Sequence, residues 1–342
     1  MSNKNVLVIG GGIAGLCAAL ELACLDIGVE LVEKEEVLGG HAGQFTCKAT
    51  DKCVKCGACI VEEKIRNVVR NPKIKVHLGS HVQEVTNSGK FSLSLSVNNG
   101  SNYPCEADAI IVTSGFSPFN PEEKPYGYNS FDNVITNLDL EKMIKIHHVV
   151  KRPSDNKAPK RMAFVQCVGS RDGKLNHLWC SRVCCGSALR MARLIKSRQP
   201  DTEIVLFYID IQSFGKDFQS FYNGAQNDVR MIRTIPGDVF EVEDDRLRMT
   251  YFDNIANESK EEIFDLIVLS IGITPGNALI NLAALFNIEL SNSGFVTESD
   301  KTTRPMQAGV FAAGTVLGPM SIAESVASAG KAAWDVVRYL EI

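Results

Sequence analysis

Four of the eleven cysteines in this chain fall within a stretch of 19 residues. The spacing C-x12-C-x3-C-C joins Cys167, Cys180, Cys184 and Cys185. Four thiolates are the ligand set that a cuboidal iron–sulfur cluster or a structural zinc ion requires. Zinc sites usually combine two short C-x2–4-C motifs, so the irregular spacing favours a cluster. A redox-active disulfide and inert buried thiols are the other interpretations.

A second group of cysteines lies nearer the start of the chain: Cys47, Cys53, Cys56 and Cys59. The last three match the beginning of a ferredoxin motif, C-x2-C-x2-C-x3-C-P, but Glu63 and Lys64 stand where it would end. Three interpretations stay open: a second cluster completed by Cys47 or by a partner's cysteine, a redox-active dithiol, and structural thiols. We expect the other cysteines in the core: Cys17, Cys24 and Cys105.

A glycine-rich turn near the amino terminus predicts a dinucleotide site. The apolar segment 6–10 predicts a buried strand, and the pattern Gly10-x-Gly12-x-x-Gly15 follows it and opens a helix. These glycines allow a tight turn, close approach of a pyrophosphate, and close packing of helix on strand. The positive end of the helix then faces the phosphates. Glu33 ends the next predicted strand, where a carboxylate accepts hydrogen bonds from the adenosine ribose.

The second half of the chain begins with a similar predicted strand, residues 161–166, but lacks a second glycine-rich pattern. Gly169 alone cannot supply a close approach to a pyrophosphate. The helix predicted at residues 186–197 is displaced by the insertion that carries three of the cysteines. The following strand, predicted at residues 203–211, ends in Asp210 without the arginine pair that NADP favours. The four-cysteine motif therefore occupies the second dinucleotide turn, which argues against direct binding of NAD(P)H.

The composition indicates a globular protein with room for two domains. The chain has 342 residues, 45% hydrophobic and 22% charged, with a net charge of −4. The acidic balance argues against a nucleic-acid partner. No apolar run reaches the ~18 residues that span a bilayer, and no signal-peptide pattern precedes the first strand. We therefore expect a cytoplasmic protein, in which eleven cysteines favour metal binding or redox work over structural disulfides.

Four segments resemble flavoproteins with two dinucleotide-binding domains, and they are spread along the whole chain: residues 32–44, 109–118, 265–275 and 309–333. The resemblance implies an α/β fold with two Rossmann-like, three-layer domains of the FAD/NAD(P) disulfide-reductase type and a cysteine-rich insertion. It implies a discontinuous FAD domain at residues 1–118 plus 280–342. A second Rossmann-like domain at residues 150–275 would carry the iron–sulfur motif, after a polar connector with a short helix at residues 138–146.

The same resemblance implies FAD as the cofactor of the first domain. Val82 lies where such flavoproteins hold the adenine with backbone groups, and Gly314-Thr315 stands where they usually have Gly-Asp against the ribityl chain. The threonine hydroxyl can still form a hydrogen bond there. The N-terminus of a helix predicted at residues 322–337 would favour an anionic reduced flavin. The expected FAD-site residues are Gly10, Gly12, Ile13, Ala14, Gly15, Glu33, Lys34, Gly40, His41, Val82, Thr113, Gly115, Gly314, Thr315 and Ile322.

Together the two cysteine sets resemble those of heterodisulfide reductase A subunits, most closely the short form found in heterodisulfide reductase-like complexes of sulfur oxidation. In that family the C-x12-C-x3-C-C motif binds a [4Fe-4S] cluster, which implies these ligands: Cys167, Cys180, Cys184 and Cys185. Thr315 is the expected residue in that family. The chain lacks the extra N-terminal and ferredoxin-like modules of the longer family members, which argues against electron bifurcation.

The resemblance implies an oxidoreductase: an FAD- and [4Fe-4S]-containing electron-transfer subunit of a complex for cytoplasmic sulfur-compound oxidation. The implied partners are heterodisulfide reductase B- and C-like subunits, a thiol or lipoate-type sulfur carrier, and a second copy of the chain in a homodimer. Two other functions fit the residues. A free-standing NAD(P)H-dependent disulfide reductase would use Cys56 and Cys59, and a non-catalytic scaffold would hold FAD or a cluster without redox turnover.

Overall fold

The computed structural model describes residues 4–98, 100–212, 217–297 and 307–341. The helices are α1 Ile13–Cys24, α2 Ala58–Arg70, α3 Asn137–His147, α4 Cys184–Arg198, α5 Phe218–Ala225, α6 Asn277–Phe286 and α7 Ile322–Tyr339. The strands are β1 Asn5–Ile9, β2 Gly28–Val32, β3 Ile74–His77, β4 Ser80–Asn87, β5 Phe91–Val97, β6 Asn102–Ala107, β7 Ala109–Val112, β8 Phe116–Pro118, β9 Val134–Thr136, β10 Arg161–Val168, β11 Glu203–Phe207, β12 Arg230–Ile232, β13 Val239–Val242, β14 Arg246–Asp253, β15 Glu258–Phe264, β16 Leu266–Ile271, β17 Ile273–Pro275 and β18 Val310–Ala312. Short 3-10 helices lie at His41–Gln44, Glu243–Asp245 and Gly314–Leu317.

The chain divides into two compact units, each discontinuous in sequence. Unit 1 comprises Met1–Gln44, Gly57–Ser117 and Thr274–Ile342, and unit 2 comprises Phe45–Cys56 and Pro118–Ile273. The segment Phe45–Cys56 therefore belongs to unit 2, although the chain on either side of it belongs to unit 1. The domain bounds inferred from the sequence stay a prediction.

Unit 1 is built on a parallel five-stranded sheet with the order β18-β7-β1-β2-β3. Its strands are apolar on both faces because both faces are covered. Along β1, Val6 and Val8 pack under α1, α2 and α7. Leu7 and Ile9 face the opposite side, where the antiparallel sheet β4-β5-β6 and α6 supply the covering layer.

Unit 2 repeats this plan with a parallel sheet of order β12-β11-β10-β16-β9. Met162 and Phe164 of β10 pack against α3, α4 and α5. Ala163 and Val165 face the antiparallel sheet β13-β14-β15. The predicted fold class, two Rossmann-like three-layer domains, is thus confirmed. No helix in the described ranges is long and apolar enough to cross a membrane.

Helix bounds differ from the predicted ones by one or two residues where local hydrogen bonds extend them. The connector helix α3 begins at Asn137 because Thr136 caps it: its hydroxyl accepts from the Asp139 amide at 3.2 Å. Helix α4 begins at Cys184, two residues before the predicted start. The cysteine pair is therefore the first turn of that helix rather than part of the preceding loop.

Candidate functional site

Parallel pairing brings the carboxyl ends of β18, β7, β1 and β2 to one edge of the unit 1 sheet. Ile9 pairs with both Val32 and Val112, and Ala312 also pairs with Val112. The residues that come next therefore line the same edge: Gly10, Glu33, Thr113 and Ala313. In open α/β sheets this edge is where nucleotides bind.

The glycine-rich turn joins β1 to α1 through only three residues, 10–12. Gly10 has a φ of +112°, and a Cβ there would lie 2.4 Å from the Thr113 carbonyl oxygen. A Cβ on Gly15 would lie 1.9 Å from the Gly10 carbonyl oxygen, so α1 packs directly on the turn. No described atom lies within 4 Å of a Cβ built on Gly12, the N-cap of α1. This open backbone at a helix N-terminus fits a pyrophosphate.

Glu33 is buried at the end of β2, with 6% of the residue exposed. Its Oε2 accepts from the Gly11 amide at 2.6 Å, and its Oε1 accepts from the Glu35 amide at 3.0 Å. Each carboxylate oxygen can accept a further hydrogen bond. The position and the remaining acceptor capacity fit the predicted contact with a ribose hydroxyl.

The end of β7 supplies an unpaired polar atom beside the glycine-rich turn. The Thr113 hydroxyl lies 2.9 Å from the carbonyl oxygens of both Ile9 and Gly10. The next residue, Ser114, has a buried Oγ with no hydrogen-bond partner among the described residues. Buried hydroxyls are nearly always paired, so this atom fits a ligand group. Ser114 was not among the predicted site residues because a single serine after a strand carries no periodic signal.

The carboxyl-terminal segment completes this side of unit 1. Gly314 has a φ of +78°, and a Cβ there would lie 2.7 Å from the Ala14 Cβ in the first turn of α1. Helix α7 begins at Ile322 behind a capping box: the Ser321 hydroxyl accepts from the Glu324 amide at 3.2 Å. The helix dipole favours negative charge at this end.

The other predicted FAD-site residues also lie in unit 1, with different exposure. A Cβ on Gly40 would lie 3.2 Å from the Gly12 Cα, and the His41 ring packs 4.5 Å from Phe116. The Lys34 side chain is exposed and forms an ion pair with Glu35 at 3.5 Å. Buried or half-buried positions are taken by Ile13, Ala14, Val82 and Thr315. The assignment of these residues to FAD stays a prediction.

In unit 2, strand β10 has the central place that β1 has in unit 1, but it ends differently. The pairing of β10 with β16 shifts between Val165 and Val168, and Cys167 lies in this bulge with a φ of +62°. Bulges re-aim side chains, and a positive φ outside glycine costs on the order of 1–3 kcal/mol. A Cβ on Gly169 would lie 2.1 Å from the Phe119 ring. An aromatic side chain thus packs against the first glycine after β10, whereas the turn after β1 has open space at Gly12.

A loop of 15 residues, 169–183, separates β10 from α4, where unit 1 has three. A hydrogen bond joins the two halves of this loop, because the hydroxyls of Ser170 and Ser181 lie 2.5 Å apart. The Trp179 indole donates to the Ile273 carbonyl at 2.9 Å. These contacts hold the returning half of the loop, which carries the half-buried Cys180, against the end of the sheet.

The adjacent cysteines Cys184 and Cys185 are buried in the first turn of α4. The Cys184 thiol donates a hydrogen bond to Cys185, which raises the pKa of Cys184 and lowers that of Cys185 to about 7. Burial raises the pKa of Cys167 to about 11, and the charges of Cys185 and Cys180 add to this shift. The four predicted ligands are therefore electrostatic neighbours, and metal binding would release protons from them.

The donor set at this edge fits an iron–sulfur cluster in chemistry: four thiols, two of them at a helix N-terminus that favours negative charge. Within the described ranges, no three His, Cys, Asp or Glu side chains are grouped so as to hold a metal ion. The assignment of the four cysteines as cluster ligands stays a prediction.

The second cysteine set is divided between the two units. Cys47, Cys53 and the half-buried Cys56 lie in the segment Phe45–Cys56 of unit 2, and Cys59 is the second residue of α2 in unit 1. The expectation that Cys24 lies in the core is wrong. Cys24 is exposed because it ends α1 on the side away from the sheet.

Three contacts hold the segment Phe45–Cys56 on unit 2. The Lys48 ammonium lies 2.5 Å from the Glu141 carboxylate of α3, and both side chains are less than 5% exposed. That carboxylate also accepts from the Thr46 amide at 3.0 Å. Arg190 of α4 donates to the Val54 carbonyl at 2.9 Å. The segment that carries Cys53 is thus fixed to the helix that begins with the cysteine pair.

A family model described as pyridine nucleotide-disulphide oxidoreductase matches residues 4–165. The chain is 32% identical to the A subunit of the H(2):CoB-CoM heterodisulfide,ferredoxin reductase of Methanothermobacter marburgensis, over 97% of this chain and 63% of that protein. It is also 32% identical to the iron–sulfur A subunit of the CoB–CoM heterodisulfide reductase of Methanocaldococcus jannaschii, with the same coverage. The chain thus spans less than two thirds of these relatives.

Solved structures of thioredoxin reductases share the fold. The T. acidophilum enzyme has a TM-score of 0.63 at 16% identity, and the match covers 99% of both chains. The Lactococcus lactis enzyme has a TM-score of 0.66 at 14% identity, over 99% of this chain and 100% of its own. At these identities the likeness concerns the fold alone.

Proposed function

The chain belongs to the heterodisulfide reductase A family over nearly its whole length, and from this premise we propose that it is an electron-transfer subunit that carries FAD and a [4Fe-4S] cluster. FAD would be held in unit 1 and the cluster in unit 2. A flavin can exchange one or two electrons, which lets such a protein connect a two-electron partner to one-electron carriers.

In unit 1, the protein's part is to bind and orient FAD. The open backbone at Gly12 and the N-terminus of α1 would receive the pyrophosphate, and Glu33 would accept from the ribose. The unpaired Ser114 hydroxyl offers a further polar contact. The positive end of α7, behind Ser321, would stabilise negative charge on the flavin ring.

In unit 2, the thiols would hold the cluster in place of a second dinucleotide: Cys167, Cys180, Cys184 and Cys185. The observation that carries the proposal is the contrast between the two sheet edges. Unit 1 has an open glycine turn of three residues, whereas unit 2 has Phe119 against Gly169 and a cysteine-rich loop of fifteen.

We further propose that this protein works in a cytoplasmic heterodisulfide reductase-like complex of sulfur-compound oxidation, with B- and C-like subunits. Its distal substrate would be a thiol or lipoate-type sulfur carrier, and the protein itself would be a homodimer. Support for the partners comes from the relatives, whose names describe them as the A subunits of heterodisulfide reductases. Cys47, Cys53, Cys56 and Cys59 would hold a second cluster or form a dithiol.

The test is anaerobic purification followed by measurement of flavin and iron. We expect one FAD and about four irons per chain from the unit 2 cluster, or about eight irons if the second cysteine set also holds a cluster, with a broad absorption shoulder beneath the flavin bands. Cys184→Ala and Cys185→Ala should each remove about four irons and retain the FAD. Cys105→Ala, which changes a half-buried thiol in β6 of unit 1, is the matched control and should retain both. An iron content equal to that of the wild type in both unit 2 variants would contradict the assignment.

A further inference from the structure

Asp210 lies three residues after the end of β11, close to where a dinucleotide-binding unit often has an acid that accepts from the ribose. Here its carboxylate is already engaged. One oxygen lies 2.5 Å from the Arg171 guanidinium, and the other accepts from the Gln212 side-chain amide at 3.1 Å. The arginine comes from the cysteine-rich loop, so the end of β11 is tied to that loop by an ion pair.

Two contacts to backbone atoms place this ion pair beside the four-cysteine site. Arg171 follows the Cys167 bulge by four residues, and its amide donates to the Trp179 carbonyl at 3.0 Å, next to Cys180. On the other side, the Cys185 sulfur lies 3.8 Å from the Asp210 carbonyl oxygen. The backbone atoms of Arg171 and Asp210 thus contact both halves of the motif, and the two side-chain charges act in opposite directions on the pKa of Cys167 and of Cys185.

We propose that the Arg171–Asp210 ion pair tunes the reduction potential of the cluster held by the four cysteines: the arginine raises it, and the aspartate partly offsets the arginine. This inference rests on the proposed function. Reduction adds one electron, supplied by dithionite in the test below, and therefore one negative charge; no bond forms or breaks, and no proton moves. A nearby cation favours the reduced form, and a nearby anion disfavours it.

The pair is 28% and 34% exposed in its side chains, so water and salt screen part of its effect. We therefore expect a moderate change. Removing one member should alter the one-electron equilibrium by about tenfold, which corresponds to ~59 mV.

The experiment is a mediated dithionite titration of the holoprotein, with the cluster followed by electron paramagnetic resonance and the flavin by absorption. Arg171→Gln should lower the cluster potential, Asp210→Asn should raise it, and Arg171→Lys should restore most of the wild-type value. The flavin potential should not change in any variant. A merely structural ion pair predicts the same effect from both substitutions, because both break the same contact. Shifts in one direction, equal loss of iron, or no shift would overturn the inference.

A matched ion pair lies at the opposite end of the same two strands. Arg161 begins β10 and its guanidinium lies 2.8 Å from the Glu203 carboxylate, which begins β11. The eight residues of β10 extend roughly 3.3 Å each, well beyond the screening length of salt solutions. Arg161→Gln and Glu203→Gln should therefore leave the cluster potential unchanged. A wild type without iron would overturn the proposed function as well, whereas an iron-loaded wild type with shifts in one direction overturns this inference alone.

Discussion

Gly12 and Gly15 belong to one turn but have opposite surroundings. Gly12 has open space around it, whereas the place of a Gly15 side chain is taken by the Gly10 carbonyl at 1.9 Å. Gly12→Ala should therefore fold with a free energy of unfolding within about 1 kcal/mol of wild type but bind FAD at least tenfold more weakly, because its methyl group stands in the proposed pyrophosphate cradle. Gly15→Ala should instead lower the free energy of unfolding, because its methyl group would overlap the Gly10 carbonyl. Flavin titration and chemical denaturation separate the two effects, and a Gly12→Ala protein with wild-type flavin affinity would contradict the site.

A buried hydrogen-bonded group in unit 1 gives the protein a predictable acid sensitivity. Burial raises the pKa of Glu30, but the hydrogen bond and charge of His77 and the charge of Lys75 outweigh burial and lower it. The opposite His77 nitrogen lies 2.5 Å from the Tyr103 hydroxyl. A carboxyl whose folded pKa is lowered stabilises the protein above its unfolded pKa, and this contribution is lost as pH falls through the folded pKa.

We therefore expect the free energy of unfolding to decline as the pH falls below about 4.3, the ordinary pKa of glutamate. In Glu30→Gln the decline should be smaller, because the amide cannot titrate. Denaturation midpoints at pH 7 and in mild acid provide the measurement. Glu62→Gln, on an exposed position of α2, is the control and should keep the wild-type decline. Equal acid sensitivity in the two variants would exclude Glu30 as the cause.

At the scale of elements, a buried ion pair helps to hold one short segment on one helix. The Lys48–Glu141 ion pair joins the segment Phe45–Cys56 to α3. Removing one member of a buried pair leaves an uncompensated charge, which costs about 3–5 kcal/mol. Removing both charges leaves none, and glutamine at position 141 keeps an acceptor for the Thr46 amide.

Lys48→Met and Glu141→Gln should each lower the free energy of unfolding by about 3 kcal/mol, while the double variant should recover most of this loss. Each single variant should also make the half-buried Cys56 react faster with an alkylating reagent, because one of the contacts that hold the segment is lost. The exposed pair Lys55–Asp217 serves as the comparison, and Asp217→Asn should cost less than about 1 kcal/mol. Additive losses in the double variant would show that the two charges do not act as a pair.

The same elements show which parts of the fold the sequence could predict and which it could not. The strand, the glycine turn and the helix at residues 6–24 follow local patterns, and the structure has them in place. The bulge at Cys167 has no such signal, because strand alternation alone does not reveal a shifted register. The placement of Phe45–Cys56 in unit 2 depends on Lys48 and Glu141, which are far apart in sequence. Arg171 and Asp210 meet for a similar reason, through the carboxyl ends of neighbouring parallel strands.

At the scale of the whole molecule, the fold class and the resemblance to heterodisulfide reductase A subunits are both confirmed. Both could be predicted because the apolar pattern of a buried parallel strand occurs twice in the chain, each time followed by a characteristic turn. The two units share their layers and a central parallel sheet but differ at the turn after β1 and after β10. The chemistry of each unit follows from that turn rather than from the fold, since one fold carries many functions.

This difference makes a prediction about the purified chain with its cofactors bound. NADH alone should leave the flavin oxidised for minutes, whereas dithionite should reduce it. The reason is that Phe119 fills the space beside Gly169, and the Asp210 carboxylate is already paired with Arg171. The described residues at this edge of unit 2 therefore provide neither an open glycine turn nor a free ribose acceptor. Anaerobic rapid-mixing absorption measures both reactions. Phe119→Ala is the informative variant, since it should reopen the space without restoring a glycine-rich turn, and it should still not react with NADH. Flavin bleaching by NADH within seconds in the wild type would support a free-standing NADH-dependent reductase. It would falsify the proposal that unit 1 binds FAD while unit 2 holds a cluster in place of a second dinucleotide.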